Sequence, residues 1–264
     1  MTSAATHGLH VLYVAWGFPP HQGPGVRRSL ATVAELVRQG HRVTVLTADL
    51  ATFDVVCGGD RSLLGEIPEA VRVVRVAMAA QPRDPLLNRW PPARIEDPKA
   101  WWDKVAKEQV RAFPEAVYGT WQPRAEAVAH RIHELDPVDL VIATGDPYVD
   151  FSVALRLHVD HGVPFVLDDR ESWLLDPETF APETLAPETP APETLTPRPL
   201  GARILPWLEF ALSQAVRVWF ANPAIADWHR HRFPLYADRI RVVQTGADSE
   251  LAPALHDVVT ALAS

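Results

Sequence analysis

Three short segments carry residue types that could do chemistry. The first is GFPPHQGPGVRR, residues 17–28. It follows an apolar run and ends where a helical pattern starts, so its last backbone N–H groups lie at the positive end of a helix, where an anion is favoured. Gly23 and Gly25 put no Cβ between the backbone and a ligand, so a phosphate can come close. Arg27 and Arg28 fall in the first helical turn, where a cation opposes the dipole unless something anionic lies nearby. Gly23, Gly25, Arg27 and Arg28 are therefore the expected phosphate-binding set, with an ordinary tight loop as the alternative. The second and third segments are TGDPY, residues 144–148, and LDDRESW, residues 167–173. Each directly follows an apolar run, at the carboxyl end of a strand, where open α/β sheets bind ligands. They offer Asp146, Tyr148, Asp168, Asp169, Arg170 and Glu171 as a polar cluster on one edge. The competing reading is structural: a helix cap at Asp146, favoured by the Pro147 that follows it, and an internal Asp–Arg pair for Asp168 and Arg170.

Other chemistries fail on spacing. A dinucleotide fingerprint needs a third glycine where Arg28 stands, although Asp49 lies at a suitable distance for a ribose contact. There is no H-E-x-x-H, no G-x-S-x-G and no cysteine pair. The 11 histidines show no metal-ligand spacing, so no metal is expected. His229 and His231 flank Arg230 beside Trp228 and read as a solvated helix face.

The elements that must position these segments alternate along the chain. Residues 9–15 (LHVLYVA) form a continuous apolar run, the pattern of a strand buried on both faces of a parallel sheet. Val26, Leu30, Val33, Ala34 and Val37 recur at helical spacing, and Gly40 sits where a helix ends. Residues 42–47 make a second strand and complete a βαβ unit. Further strands are expected over 71–76, 140–144, 164–167, 216–221 and 239–243. Helices are expected near 101–112 and over 125–135, 149–161, 205–215 and 223–232. Residues 81–124 are otherwise Pro- and Trp-rich and irregular. This alternation predicts a single α/β, Rossmann-like, doubly wound parallel sheet. One segment stands apart: Pro-Glu-Thr recurs at 177, 182, 187 and 192, within a low-complexity insertion over 177–199. Proline every fifth residue blocks helix and central strand, so an extended, mobile loop is expected there, best explained by repeat expansion in a tolerant position.

The net charge of −8 includes four glutamates of that insertion, leaving the remainder near −4 with no basic stripe for nucleic acid. The lone Cys57 cannot form an internal disulfide, which fits a reducing compartment. The N-terminus MTSAATHG lacks the pattern of a signal peptide. No apolar run approaches the roughly 20 residues that span a bilayer, so a cytoplasmic protein is expected. Peripheral contact with the inner membrane face rests on the apolar, aromatic stretches 207–210 and 218–220, against the negative charge.

In order, the segments resemble glycosyltransferase family 4, retaining enzymes of the GT-B architecture. The start VLYVAWGFPPHQGPGVRRSLATVAELVRQGHRVTVLTA is similar to that family's opening strand, Pro-Gly loop, helix and second strand. Trp121–Pro123 with DLVIATGDPY, then PFVLDDRESWLLD with Glu171 where Asp is usual, continue the match. The stretch RVWFANPAIADWHRHRFPLYADRIRVVQTGADSE resembles the last strand and helix and the hinge, with Thr245 where Asn is usual. The match spans Leu9 to Glu250. It implies an acceptor-side N-terminal domain over 1–250, with 251–264 a terminal helix or the start of a second, donor-binding domain. In that family the second domain carries an E-x7-E pair, and none follows Glu250 here, so the donor domain is expected to be missing. It implies glycosyl transfer from a nucleotide sugar to an unknown acceptor, with no cofactor, no protein nucleophile and no named catalytic residue. Gly23, Gly25, Arg27 and Arg28 would then touch the donor diphosphate. Asp146, Tyr148, Asp168, Arg170 and Glu171, with the Trp-rich 81–124 segment, would face the acceptor. A separate GT-B C-terminal domain protein is the expected partner. The alternative is a non-catalytic remnant or acceptor-binding module.

Overall fold

In the computed structural model, residues 8–78, 87–115, 118–175, 201–244 and 248–263 are described. The Pro-Glu-Thr insertion, part of the Trp-rich segment and Thr245 lie outside them. In chain order the strands and α-helices are β1 (His10–Val14), α1 (Gly25–Arg38), β2 (Arg42–Ala48), α2 (Leu50–Val56), β3 (Arg72–Val76), α3 (Pro92–Glu96), α4 (Pro98–Ala112), α5 (Gln122–Leu135), β4 (Leu140–Thr144), α6 (Val149–His161), β5 (Phe165–Asp168), α7 (Gly201–Gln214), β6 (Arg217–Phe220), α8 (Pro223–Arg232), β7 (Ile240–Val242) and α9 (Asp248–Leu262).

The strands form one seven-stranded sheet in the order β3-β2-β1-β4-β5-β6-β7. Every pair is parallel. β1 pairs with β2 from His10↔Arg42 and with β4 from Val11↔Leu140. The strand order reverses between β1 and β4, which opens a crevice at their carboxyl ends, the place where open α/β sheets bind ligands.

Alternate side chains of each strand feed two cores. Leu12, Val14, Leu46, Val141 and Ala143 pack under α5, α6 and α7 with Phe151, Leu155, Leu208 and Leu212. Val11, Tyr13, Val43, Val45 and Ile142 pack under α1 and α9 with Val26, Val33, Leu36, Leu255 and Val258. That is why β1 and β4 read as unbroken apolar runs: both of their faces are buried. β3 is an edge strand, and Arg72 and Arg75 are tolerated there because that strand is only partly buried.

Helix ends follow the sequence signals in part. Gly162 closes α6 in the left-handed region at φ 71°, which a residue with a Cβ adopts only at a cost. α2, which has no extended periodicity, is fixed instead by its cap: Asp49 accepts from Thr52 N–H at 2.8 Å. That contact assigns Asp49 to a helix end. The stretch after Glu250 lies in α9, which packs on α1 and is tied to the sheet by Asp257. The Asp257 carboxylate binds Arg217 at 2.6 Å and Arg241 at 3.1 Å, and these cations hold its pKa below the usual range. Among the described residues no helix is long and apolar enough to cross a membrane. Residues 218–220, read from sequence as membrane-seeking, form β6 and are fully buried; only Phe210 of the 207–210 stretch is classed as an exposed large hydrophobic.

Candidate functional site

The crevice is walled by three loops, those after β1, β4 and β5. The β1 loop runs into α1, whose start carries no side-chain cap and no acidic residue in its first turn. Its leading N–H groups and its dipole therefore present positive potential to the crevice. The two arginines of that first turn do not face it. Arg28 is buried and donates Nε to Asp168 Oδ2 at 2.7 Å, Nη2 to Asp168 Oδ1 at 2.6 Å, and Nη1 to the Val243 carbonyl at 2.6 Å. All three fork positions are spent inside the molecule. Arg27 is exposed and pairs with Glu66. The anions that the sequence reading required beside these cations are thus side chains of the chain itself.

The cation at the head of α1 is Arg170, from the β5 loop. Its guanidinium lies so close to Gly25 that a Cβ built there would come within 2.7 Å of Arg170 Cζ. Only glycine admits this approach. The Arg170 side chain is 10% exposed, with Asp146 Oδ2 at 4.0 Å and the Gly145 carbonyl at 3.4 Å. Gly25 and Arg170, placed in separate sets by sequence, are in contact.

His21 is a residue the sequence reading passed over, although it is the one titratable group between the two Pro-Gly elements of the first loop. Its ring fills the space over Gly17 and Gly23, stacks on Phe53 at 5.8 Å and meets Trp16 edge-on. Gly23 N–H donates to Nδ1 at 3.3 Å, which leaves the proton of the neutral ring on Nε2. Burial lowers its pKa; Asp146 pulls the other way, and Arg170 adds to the lowering. His21 therefore offers a donor N–H and no free lone pair for taking a proton.

The β4 loop departs from its sequence reading. Asp146 is exposed and in the left-handed region at φ 58°, and it does not cap α6. Glu115, arriving from the end of the Trp-rich segment, caps that helix by accepting from Tyr148 N–H and Val149 N–H, the latter at 2.7 Å. The Asp146 side chain is thereby freed for the crevice. Below it Asp150 is fully buried, accepting from Trp16 N–H at 2.9 Å and Thr144 Oγ1 at 3.1 Å. Burial pushes its pKa well up, and Glu115 and Asp146 push the same way. Asp150 is thus a buried strut between the β1 and β4 loops.

The remaining expected residues divide by exposure. Glu171 is exposed at the tip of the β5 loop. Tyr148 is buried, its ring stacked on Trp173 at 5.4 Å, so it supports the crevice floor. Asp168 is buried with Arg28, as the internal-pair reading allowed, though with a different arginine. Beside His21 and Asp146 stands Tyr118, half-buried, its ring backed by the fully buried Trp16 at 4.7 Å. In the Trp-rich segment, Arg94 is held between the rings of Trp90 and Trp101 at 4.0 and 4.7 Å. A cavity of about 460 Å³ between α5, α6 and α7 is lined by Gln122, Glu126, Leu155, Val159, Trp207 and Phe210, and involves none of the three crevice loops.

Known proteins supply a likeness of fold. No family model and no curated protein matches the chain. Among solved structures it is similar to a glycosyltransferase from Rickettsia africae (12% identity, 90% of this chain and 43% of that one, TM-score 0.46). It is also similar to UGT73P12 of Glycyrrhiza uralensis complexed with glycyrrhetinic acid 3-O-monoglucuronide (13%, 92% and 49%, TM-score 0.47). A UDP-N-acetylglucosamine 2-epimerase matches at 14%, 89% and 48%, with a TM-score of 0.46. The chain spans about half the length of these structures. At such identities the likeness concerns the fold alone, and the chemistry has to be argued from the crevice.

Proposed function

We propose that the chain is the acceptor-side half of a glycosyltransferase, and that the crevice between β1 and β4 holds the diphosphate of a nucleotide sugar. One observation carries this reading: the Arg170 guanidinium rests on Gly25 at the start of α1, which has no side-chain cap. A cation at the positive end of a helix is unfavourable by about 0.3–1 kcal/mol. A diphosphate in the same place is attracted by both, and a guanidinium fork suits its paired oxygens. Arg170 thus passes from the acceptor set to the phosphate set, and Arg28 leaves the phosphate set. Gly23 and Gly25 contribute backbone, and His21 a donor N–H. Arg27 stays at the rim with Glu66.

The acceptor lies on the other side of the crevice, against Asp146, Glu171 and Tyr118, whose ring suits the apolar face of a sugar or a similar small molecule. Tyr148 and Asp168 shape this surface from beneath. The resemblance to family 4 favours retention of configuration. The bond from the anomeric carbon to the phosphate oxygen breaks, the acceptor oxygen bonds to that carbon, and its proton passes to the leaving phosphate. No protein nucleophile is needed, and the donor tautomer of His21 suits stabilising the leaving group rather than removing a proton. A second α/β domain, joined or separate, completes the donor site.

The test is an NMR titration of the full chain with UDP and with uridine. Shifts at Gly23, Gly25 and Arg170 with UDP, absent with uridine, are expected. Equal, unlocalised responses to both contradict the reading. Binding of sugars without UDP would favour a non-catalytic acceptor-binding module instead.

A further inference from the structure

The β5 loop that carries Arg170 is held by a buried polar chain reaching to α8. Asp169 accepts from Ser172 N–H at 3.0 Å and Trp173 N–H at 3.3 Å, closing a tight turn with Arg170 and Glu171 at its tip. Trp173 anchors the turn, stacked on Phe113 at 5.0 Å and on Tyr148. Ser172 sits at φ 79°, an unfavourable conformation for a residue with a Cβ, so something must over-determine it.

Its hydroxyl does so. Ser172 Oγ lies 3.2 Å from His229 Nε2, and Leu174 N–H and Leu175 N–H donate to it at 3.2 and 3.3 Å. The tautomer follows from the opposite side of the ring. His229 Nδ1 is 2.8 Å from the Ile225 carbonyl, which can only accept, so Nδ1 carries the proton and Nε2 is a lone pair. Ser172 O–H must then donate to His229. Both residues are fully buried, and the imidazole is stacked on Phe220 at 4.3 Å. The arrangement has the form of a serine–histidine nucleophile pair, but nothing reaches it from solvent.

We infer that His229 is a positioning residue for Arg170: through Ser172 it holds the β5 loop in the one form that lays the guanidinium across Gly25. The inference rests on the reading of Arg170 as the anion-binding cation, and it extends the site to α8.

The test compares His229→Phe, which keeps an aromatic ring and removes the acceptor, with His229→Gln, whose Oε1 restores an acceptor near the Nε2 position. Amide hydrogen exchange over residues 169–175 and affinity for inorganic pyrophosphate are measured on the full chain. His229→Phe should speed exchange in that loop and weaken pyrophosphate by about tenfold, the scale of one buried hydrogen bond, with exchange in β1 unchanged. His229→Gln should recover both. Should His229→Phe fail to fold, Ser172→Gly, which removes the hydroxyl while accepting φ 79°, serves the same comparison. Unchanged exchange and affinity in His229→Phe, or in Ser172→Gly where that replaces it, would overturn the inference while leaving the phosphate site intact. A looser loop in a protein that never bound pyrophosphate would sustain the positioning role and sink the phosphate reading.

Discussion

Two arginines come from opposite directions to the head of α1, and they do opposite work. Arg28 lies in the helix, is buried, and spends every fork position on Asp168 and the Val243 carbonyl, which ties α1 to β5 and to the end of β7. Arg170 lies in a loop and reaches in over Gly25, with the Asp146 carboxylate at 4.0 Å and the Gly145 carbonyl at 3.4 Å as its polar neighbours among the described residues. A buried guanidinium with every nitrogen bonded inside the molecule is part of the scaffold. One held against a helix N-terminus, as Arg170 is, is the one we propose for the site. Residue type does not distinguish the two; the bookkeeping of partners does.

The largest effect that can break this comparison is on stability. Asp168→Ala leaves the Arg28 charge buried without its carboxylate and should cost about 3–5 kcal/mol in urea unfolding. A loss below about 1 kcal/mol would mean that the pair is not the tie described. The second effect is pH-dependent and concerns the strut behind Arg170. Burial lowers the His229 pKa from 6.5 to about 4, opposed only by the Ile225 carbonyl. A folded-state pKa below the unfolded one means stability that is full above 6.5 and is lost as the pH falls from there towards 4. Thermal unfolding across that window should therefore fall more steeply for the wild type than for His229→Gln; parallel curves would remove His229 from the account. A third, smaller effect sharpens the Arg170 side. Gly25→Ala should displace the guanidinium and weaken UDP several-fold, while leaving stability within about 1 kcal/mol, since alanine suits a helix better than glycine. The smallest belongs to Arg27, exposed and paired with Glu66. Arg27→Ala should change stability by less than about 0.5 kcal/mol, and a larger loss in the same urea experiment would promote it from rim to tie.

The fold was legible because its signal is local. β4, α6 and α8 begin and end where apolar periodicity, Gly162 and Pro223 place them. α2 was missed because seven residues carry too little periodicity, and the Asp49 that caps it was weighed only for a ribose contact. The site was legible by position, since its loops follow strands, but its pairings were not. Arg28 meets a carboxylate 140 residues away, and Glu115 caps a helix 34 residues on. No spacing rule reaches that far. His229 is the instructive error: within HRHR it reads as solvated, yet it is fully buried. The missed signal was the i, i+4 stripe of Ile225, His229 and Phe233, which faces the sheet.

The central claim is that Arg170, and not Arg28 or Arg27, is the phosphate-binding cation of the β1–β4 crevice. The most direct measurement is the dissociation constant of UDP for the wild-type chain beside Arg170→Ala. A rise of at least about tenfold, the loss of a charge-assisted pair, with unfolding unchanged, is the predicted result. Equal affinity in the two proteins would contradict it.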